Sequence, residues 1–135
     1  MPMTRRDEAA QTSEAVELRV PADPAYLAVV RTATAGLAAR IDLTLDDIED
    51  LRIAVDEACA LLLDGRAHPG VSLRTRFRAG PNRLDVVIHG PCEISPQRSS
   101  FAWSVLKALV GGVETGRDVD GNWIRLTHIG GRAER

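Results

Sequence analysis

The spacing of apolar and polar positions changes period several times along the chain. In AVELRV, residues 15–20, the two kinds alternate and β-branched side chains recur, which predicts a strand. The next segment, PADPAYLAVVRTATAGLAARI, switches to helical spacing through Leu27, Val30, Thr34 and Leu37. Asp23 is placed to cap it and Pro24 suits a first helical position, so a helix is expected over 24–39. A second helix is signalled by LTLDDIEDLRIAVDEACALLLDG. Thr44 with Asp47 makes an acidic capping box, and acidic residues crowd the first turns, where the helix dipole favours them. Ile48, Leu51, Val55, Ala58 and Leu62 form its apolar stripe, and the helix is expected to stop near Leu63 with Gly65 behind it.

The period then returns to two. VSLRTRF and RLDVVIH alternate around RAGPN, which reads as a hairpin. SSFAWSVLKALVGGV is helical again, with Phe101, Val105, Ala108 and Leu109 as its expected stripe. VETGRDV and NWIRLTHI read as closing strands around a turn at Asp120–Gly121. The order β-α-α-β-β-α-β-β predicts an α+β two-layer sandwich, with three principal helices on one face of a mostly antiparallel sheet of four or five strands.

Composition narrows the class without fixing a function. The 135 residues suit one domain, read here as 15–130 behind a flexible polar tail, 1–14. A hydrophobic fraction of 44% and a charged fraction of 27% are ordinary for a soluble globular chain. The formal net charge is −2 with no basic tract, which argues against direct nucleic-acid binding. No apolar run approaches the roughly 18 residues of a membrane span, and MPMTRRDEAAQTSEA has no apolar core of a secretory signal. With two cysteines and no metal-type spacing, a cytoplasmic location with two reduced thiols is the expectation, a Cys59–Cys92 bridge being the alternative.

The candidate chemistry is sparse. The three histidines, His68, His89 and His128, are far apart in sequence and form no HxxH or HExxH pair, so no metal site is expected. DVDGN has the look of a calcium loop, but its glycine falls at the fourth position and no glutamate follows at position twelve; a hairpin turn explains it better. No GxSxG, Walker loop or GxGxxG occurs. Glu57 stands out because it borders the apolar stripe, where a half-sunk carboxylate can act as a base. The plainer reading is a glutamate on a helix rim, paired with Arg52 or Lys107.

Beyond these residue-level readings, DIEDLRIAVDEACAL, residues 47–61, resembles the long helix of RsbW/SpoIIAB-type anti-sigma factors, which are small serine kinases of the GHKL ATPase superfamily. SFAWSVLKALVGGVE and GNWIRLTHI resemble two further segments of that family, and the SFxWxVLxAL form points to its actinobacterial, UsfX-like branch. The resemblance implies a homodimeric GHKL-type fold. It implies that the chain holds a stress-type sigma factor and releases it to a STAS-domain anti-anti-sigma protein. Active members phosphorylate that antagonist with ATP and magnesium.

Position by position, the resemblance places the family's catalytic base on Glu57. The magnesium-holding asparagine falls on Leu61, whose side chain offers no oxygen. The adenine-reading DxGxG is replaced by HGPCE, which keeps Gly90 but has no aspartate. The phosphate-side GxG falls on Ser100, Phe101 and Ala102, where side chains crowd a backbone that must approach phosphates closely. A first-helix arginine that contacts partners falls on Arg31. These departures predict an anti-sigma factor with a degraded ATP site and no resident cofactor. The alternatives are an active ATP-dependent serine kinase, or a GHKL domain that serves a different regulator.

Overall fold

The second predicted helix sets the frame, because its start is fixed by local chemistry and its stripe by period. The Thr44 hydroxyl accepts from the Asp47 backbone N–H at 3.1 Å, and the Asp47 carboxylate accepts from the Thr44 N–H at 3.2 Å. That reciprocal box is the one the sequence signals. Behind it, Leu51, Ala54, Val55, Ala58, Cys59, Leu62 and Leu63 are buried on one side. Each large side chain of this kind contributes about 1.5–3 kcal/mol when fully withdrawn from water.

The computed structural model describes residues 15–94 and 100–130; the expected tail, 1–14, lies outside them. Strand β1 (Ala15–Pro21) leads through one 3-10 turn (Pro24–Tyr26) into helices α1 (Leu27–Arg40) and α2 (Leu45–Leu63). The β2–β3 hairpin (Ser72–Gly80, Arg83–Gly90), helix α3 (Ser100–Leu109) and the β4–β5 hairpin (Gly112–Asp118, Gly121–Ile129) follow. The five strands form one sheet in the order β1-β2-β3-β5-β4, every neighbour antiparallel. Val20, Leu73, Phe77, Leu84, Val86, Ile88, Ile124 and Leu126 point from it into the core beneath the helices. The alternate positions, among them Arg19, Arg74, Arg76, His89 and Arg125, make the uncovered face. This is the α+β sandwich that the element order predicts.

Five local expectations are corrected. The first helix begins with a 3-10 turn, because Asp23 accepts from the Ala25 N–H at 2.9 Å and the Leu27 N–H reaches back to Pro24 O. Its buried line is Val30, Thr34 and Ala38, with Leu27 and Leu37 on the flanks. The Thr34 hydroxyl donates to Val30 O at 2.8 Å, which satisfies it within the core. In α3 the stripe is shifted by one residue. Ala102, Leu106 and Val110 face inward, and Phe101 is 80% exposed. In the β4–β5 hairpin Asp118 pairs with Gly121, so the turn is Val119–Asp120 and Gly121, at φ 118°, is already in the strand. In the β2–β3 hairpin the strands run further than expected, leaving only Pro81–Asn82 as the turn, with Asn82 at φ 60°.

Candidate functional site

Two adjacent carboxylates on α2 meet different surroundings, since neighbouring helical residues point about 100° apart. Asp56 faces α1, where its carboxylate accepts from Arg31 Nη1 at 2.8 Å. The resemblance assigns Arg31 to partner contact, which calls for an exposed side chain. Instead it is half-buried in this intramolecular pair, with a third of its side chain accessible. Glu57 points to the other flank of α2. It is half-buried and has no hydrogen-bond or ion-pair partner among the described residues, Arg52 being engaged by Glu49 at 3.3 Å. The expected Arg52 or Lys107 pairing is therefore absent there. A turn below the ion pair, burial pushes the Cys59 thiol up to about 12, the Asp56 charge adds to this and Arg31 opposes it. That thiol stays protonated and unreactive at neutral pH.

Leu61 follows Glu57 by one turn on the same flank, and its side chain packs partly buried against the core. The end of α2 then closes directly on the end of β3. A Cβ at Gly90 would lie 2.6 Å from Leu62 Cβ and 3.3 Å from Leu62 O, so only glycine permits this approach. The Cys92 N–H donates to Leu62 O at 3.0 Å, and His68 Nε2–H donates to Leu63 O at 2.7 Å. Helix α3 packs against α2, with Ala102 buried and Ser100 as its first residue.

Glu57 and Leu61 thus share one flank of α2, Gly90 meets Leu62 at its C-terminal end, and Arg31 lies on another flank beside Asp56. Sequence reasoning missed His68, whose ring lies 3.6 Å from the Cys92 sulfur. Nothing in the sequence signals that contact, because it depends on where the turn after α2 meets the segment after β3. Both cysteines are free, Cys59 buried and Cys92 partly so.

A nucleotide with magnesium would need oxygen donors on this flank of α2. Glu57 offers one carboxylate, and Leu61 offers none. The Leu62 carbonyl is already taken by Cys92 N–H, and the space above Gly90 is filled by Leu62. A cavity of about 450 Å³ lies elsewhere, on the uncovered face of the sheet, lined by Glu17, Arg19, Arg74, His89, Asp118 and Asp120 among others.

A layer of helices over one antiparallel five-stranded sheet agrees with the histidine kinase-like ATPase fold. Residues 20–128 match the histidine kinase-like ATPase domain, and the chain belongs to that family. Among curated relatives it is 29% identical to the serine-protein kinase RsbW of Halalkalibacterium halodurans over 106 residues, 78% of this chain and 62% of that one. It is 31% identical to the serine-protein kinase RsbW of Bacillus thuringiensis over 108 residues, 79% of this chain and 64% of that one. The chain therefore spans less than two thirds of the length of these relatives. In fold it resembles the crystal structure of the RsbU and RsbW domains of a Mycobacterium tuberculosis protein, with a TM-score of 0.65 at 16% identity, over 85% of this chain and 32% of that one. No helix among the described residues is long and apolar enough to cross a membrane.

Proposed function

We propose that this chain is an anti-sigma factor of the RsbW type that binds an alternative, stress-type sigma factor and gives it up to a STAS-domain anti-anti-sigma protein. The similarity to RsbW kinases over 106–108 residues supports the class. The observation that carries the non-catalytic reading is the closure at the end of α2. Leu61 supplies no metal ligand where the resemblance places an asparagine, and Leu62 packs on Gly90, in the segment where the resemblance places the adenine reader. On this reading the chain does not hold Mg-ATP tightly, acts as a homodimer in the cytoplasm, and works through its protein-binding faces.

The second reading is an active serine kinase that phosphorylates its antagonist. Glu57 favours it, since its carboxylate is half-exposed and unpaired among the described residues, as a base requires. Two measurements separate the readings. Affinity capture from the source cell lysate with the tagged full chain is expected to recover a sigma factor. Calorimetric titration with Mg-ATP is expected to show no saturable heat. Recovery of no sigma factor sinks the first reading, and tight Mg-ATP binding with phosphate transfer to the STAS partner establishes the second.

A further inference from the structure

The uncovered face of the sheet gathers groups that the ATPase family reading does not use. His89 lies on β3, Asp118 ends β4, and Asp120 sits in the turn to β5. One ligand atom from each lies within 4.8 Å of the other two. His89 Nε2 and Asp118 Oδ2 are hydrogen-bonded to each other at 3.2 Å, a contact that a bound ion would replace. All three residues line the 450 Å³ cavity of that face, which gives a cation and its waters a route in. The geometry points to a divalent-cation site for a zinc-class transition metal, held by His89, Asp118 and Asp120.

The donor set decides the class of ion. Zinc and its neighbours accept one imidazole with carboxylates at bonds of about 2.0–2.2 Å, commonly three protein ligands and a water. Bonds of that length in a tetrahedron set ligand atoms about 3.4 Å apart, close to the observed 3.2 Å between His89 and Asp118. Magnesium and calcium prefer oxygen alone, so the imidazole argues against them. Two carboxylates also neutralise a doubly charged ion.

The ligands come from two hairpins, so they are not a run of acids on one loop. Asp118 Oδ1 accepts from the Asp120 N–H at 2.8 Å, which leaves Oδ2 facing His89. Three arginine side chains, Arg19, Arg74 and Arg76, line the same cavity and oppose the ion. Arg74 Nη2 lies 3.5 Å from Asp120 Oδ2 and competes for that carboxylate. Binding must therefore turn Asp120 from Arg74 to the metal. A bound cation would cross-link the exit of β3 to the β4–β5 turn, one residue before Gly90.

Titration of the full chain, freed of metal by chelation, with Zn(II) by calorimetry and with Co(II) by absorption spectroscopy tests this. One saturable equivalent is expected. His89→Gln and Asp118→Asn should each weaken it by more than about tenfold, since even groups behind the ligands change metal affinity by about 10–100-fold. Arg74→Gln should tighten binding by removing the competitor. Cys92→Ser and His68→Gln, which break the other imidazole contact of interest, should leave it unchanged. Absence of saturable binding, binding that survives His89→Gln, or binding lost in Cys92→Ser overturns the proposal. If the His89 or Asp118 variants fail to fold, Co(II)-induced shifts of the histidine ring signals in the unmodified chain decide. Shifts centred on His89 uphold the site, and shifts centred on His68 or His128 reject it.

Discussion

The two ends of helix α2 are held in opposite ways. At the N-terminal end the contacts are polar and partly charged. Asp47 closes the capping box with Thr44, and its other oxygen lies 2.9 Å from His128 Nε2 on β5. At the C-terminal end the contacts are mainly steric and backbone, with the His68 ring on Leu63 O adding a polar side-chain contact. Asp64 takes φ 55°, the Gly65 N–H reaches Ala60 O at 3.2 Å, and Gly90 lets the Leu62 turn settle onto β3. Charge fixes where the helix starts, and shape fixes where it stops. The first arrangement responds to pH and to polar substitution, whereas the second responds to added volume. The same closed, shape-determined end is where the proposed loss of nucleotide binding resides.

The sharpest way to break this contrast is to add one methyl group at the closed end. Gly90→Ala puts a Cβ into Leu62, and neither the helix backbone nor the strand can give without unseating the other. Overpacking of this kind costs about 1–3 kcal/mol. Urea denaturation is expected to show a lowered midpoint, to the same extent at acid and neutral pH. An unaltered midpoint would show that the α2–β3 contact yields easily.

Asp47→Ala attacks the polar end, with an expected cost of about 1–2 kcal/mol at neutral pH. It leaves the Thr44 N–H without its acceptor and takes from the buried His128 ring its only hydrogen bond among the described residues, Nδ1 having none. Burial pushes the Asp47 carboxyl up, but the hydrogen bonds from His128 and Thr44 outweigh it and hold it below its ordinary value of 3.8. A depressed carboxyl contributes fully above the unfolded value and loses that contribution as pH falls through the folded one. The gap between wild type and Asp47→Ala should therefore be widest at neutral pH and narrow below about pH 3.8. A gap that stays constant into strong acid would show that the charge of Asp47 contributes nothing.

These two ends also differ in how far the sequence reveals them. Thr44 and Asp47 are three residues apart, so the capping box is local and can be read directly. The strand alternation and the order of elements are legible for the same reason. Gly90 beside Leu62, His68 beside Cys92 and His128 beside Asp47 join residues far apart in the chain, and no spacing encodes them. The α3 stripe failed because Phe101, Val105 and Ala108 and the set Ala102, Leu106 and Val110 both satisfy a helical period. Only packing against α2 chooses between them. Of the candidate site, Glu57 and the oxygen-free Leu61 could be read from the sequence. The ion pair that takes up Arg31 could not.

That ion pair yields the third prediction. Arg31 and Asp56 are both partly exposed, so Arg31→Ala is expected to cost no more than about 1 kcal/mol of stability. Under the proposed function its larger effect falls on partner affinity, a loss of about tenfold. The loss stops short of a full hot spot because Arg31 must leave Asp56 before it meets a partner carboxylate. Asp56→Asn removes the internal competitor and should strengthen binding where Arg31→Ala weakens it, as read by calorimetry with the captured sigma factor. Equal weakening by both would show that the pair acts as a fixed unit.

The smallest expected effect belongs to Glu57→Gln. The residue is half-buried and has no partner among the described residues, and the substitution keeps its size while removing its charge. A surface change of this kind shifts stability by less than about 0.5 kcal/mol, so the thermal midpoint should hardly move. The informative measurement is phosphate transfer from radiolabelled ATP to the STAS antagonist. With no oxygen donor at Leu61 and the Leu62–Gly90 contact closed, neither wild type nor variant is expected to label the antagonist. If wild type labels it and Glu57→Gln does not, Glu57 is a working base and the chain is a serine kinase. The C-terminal closure of α2 must then open when nucleotide binds.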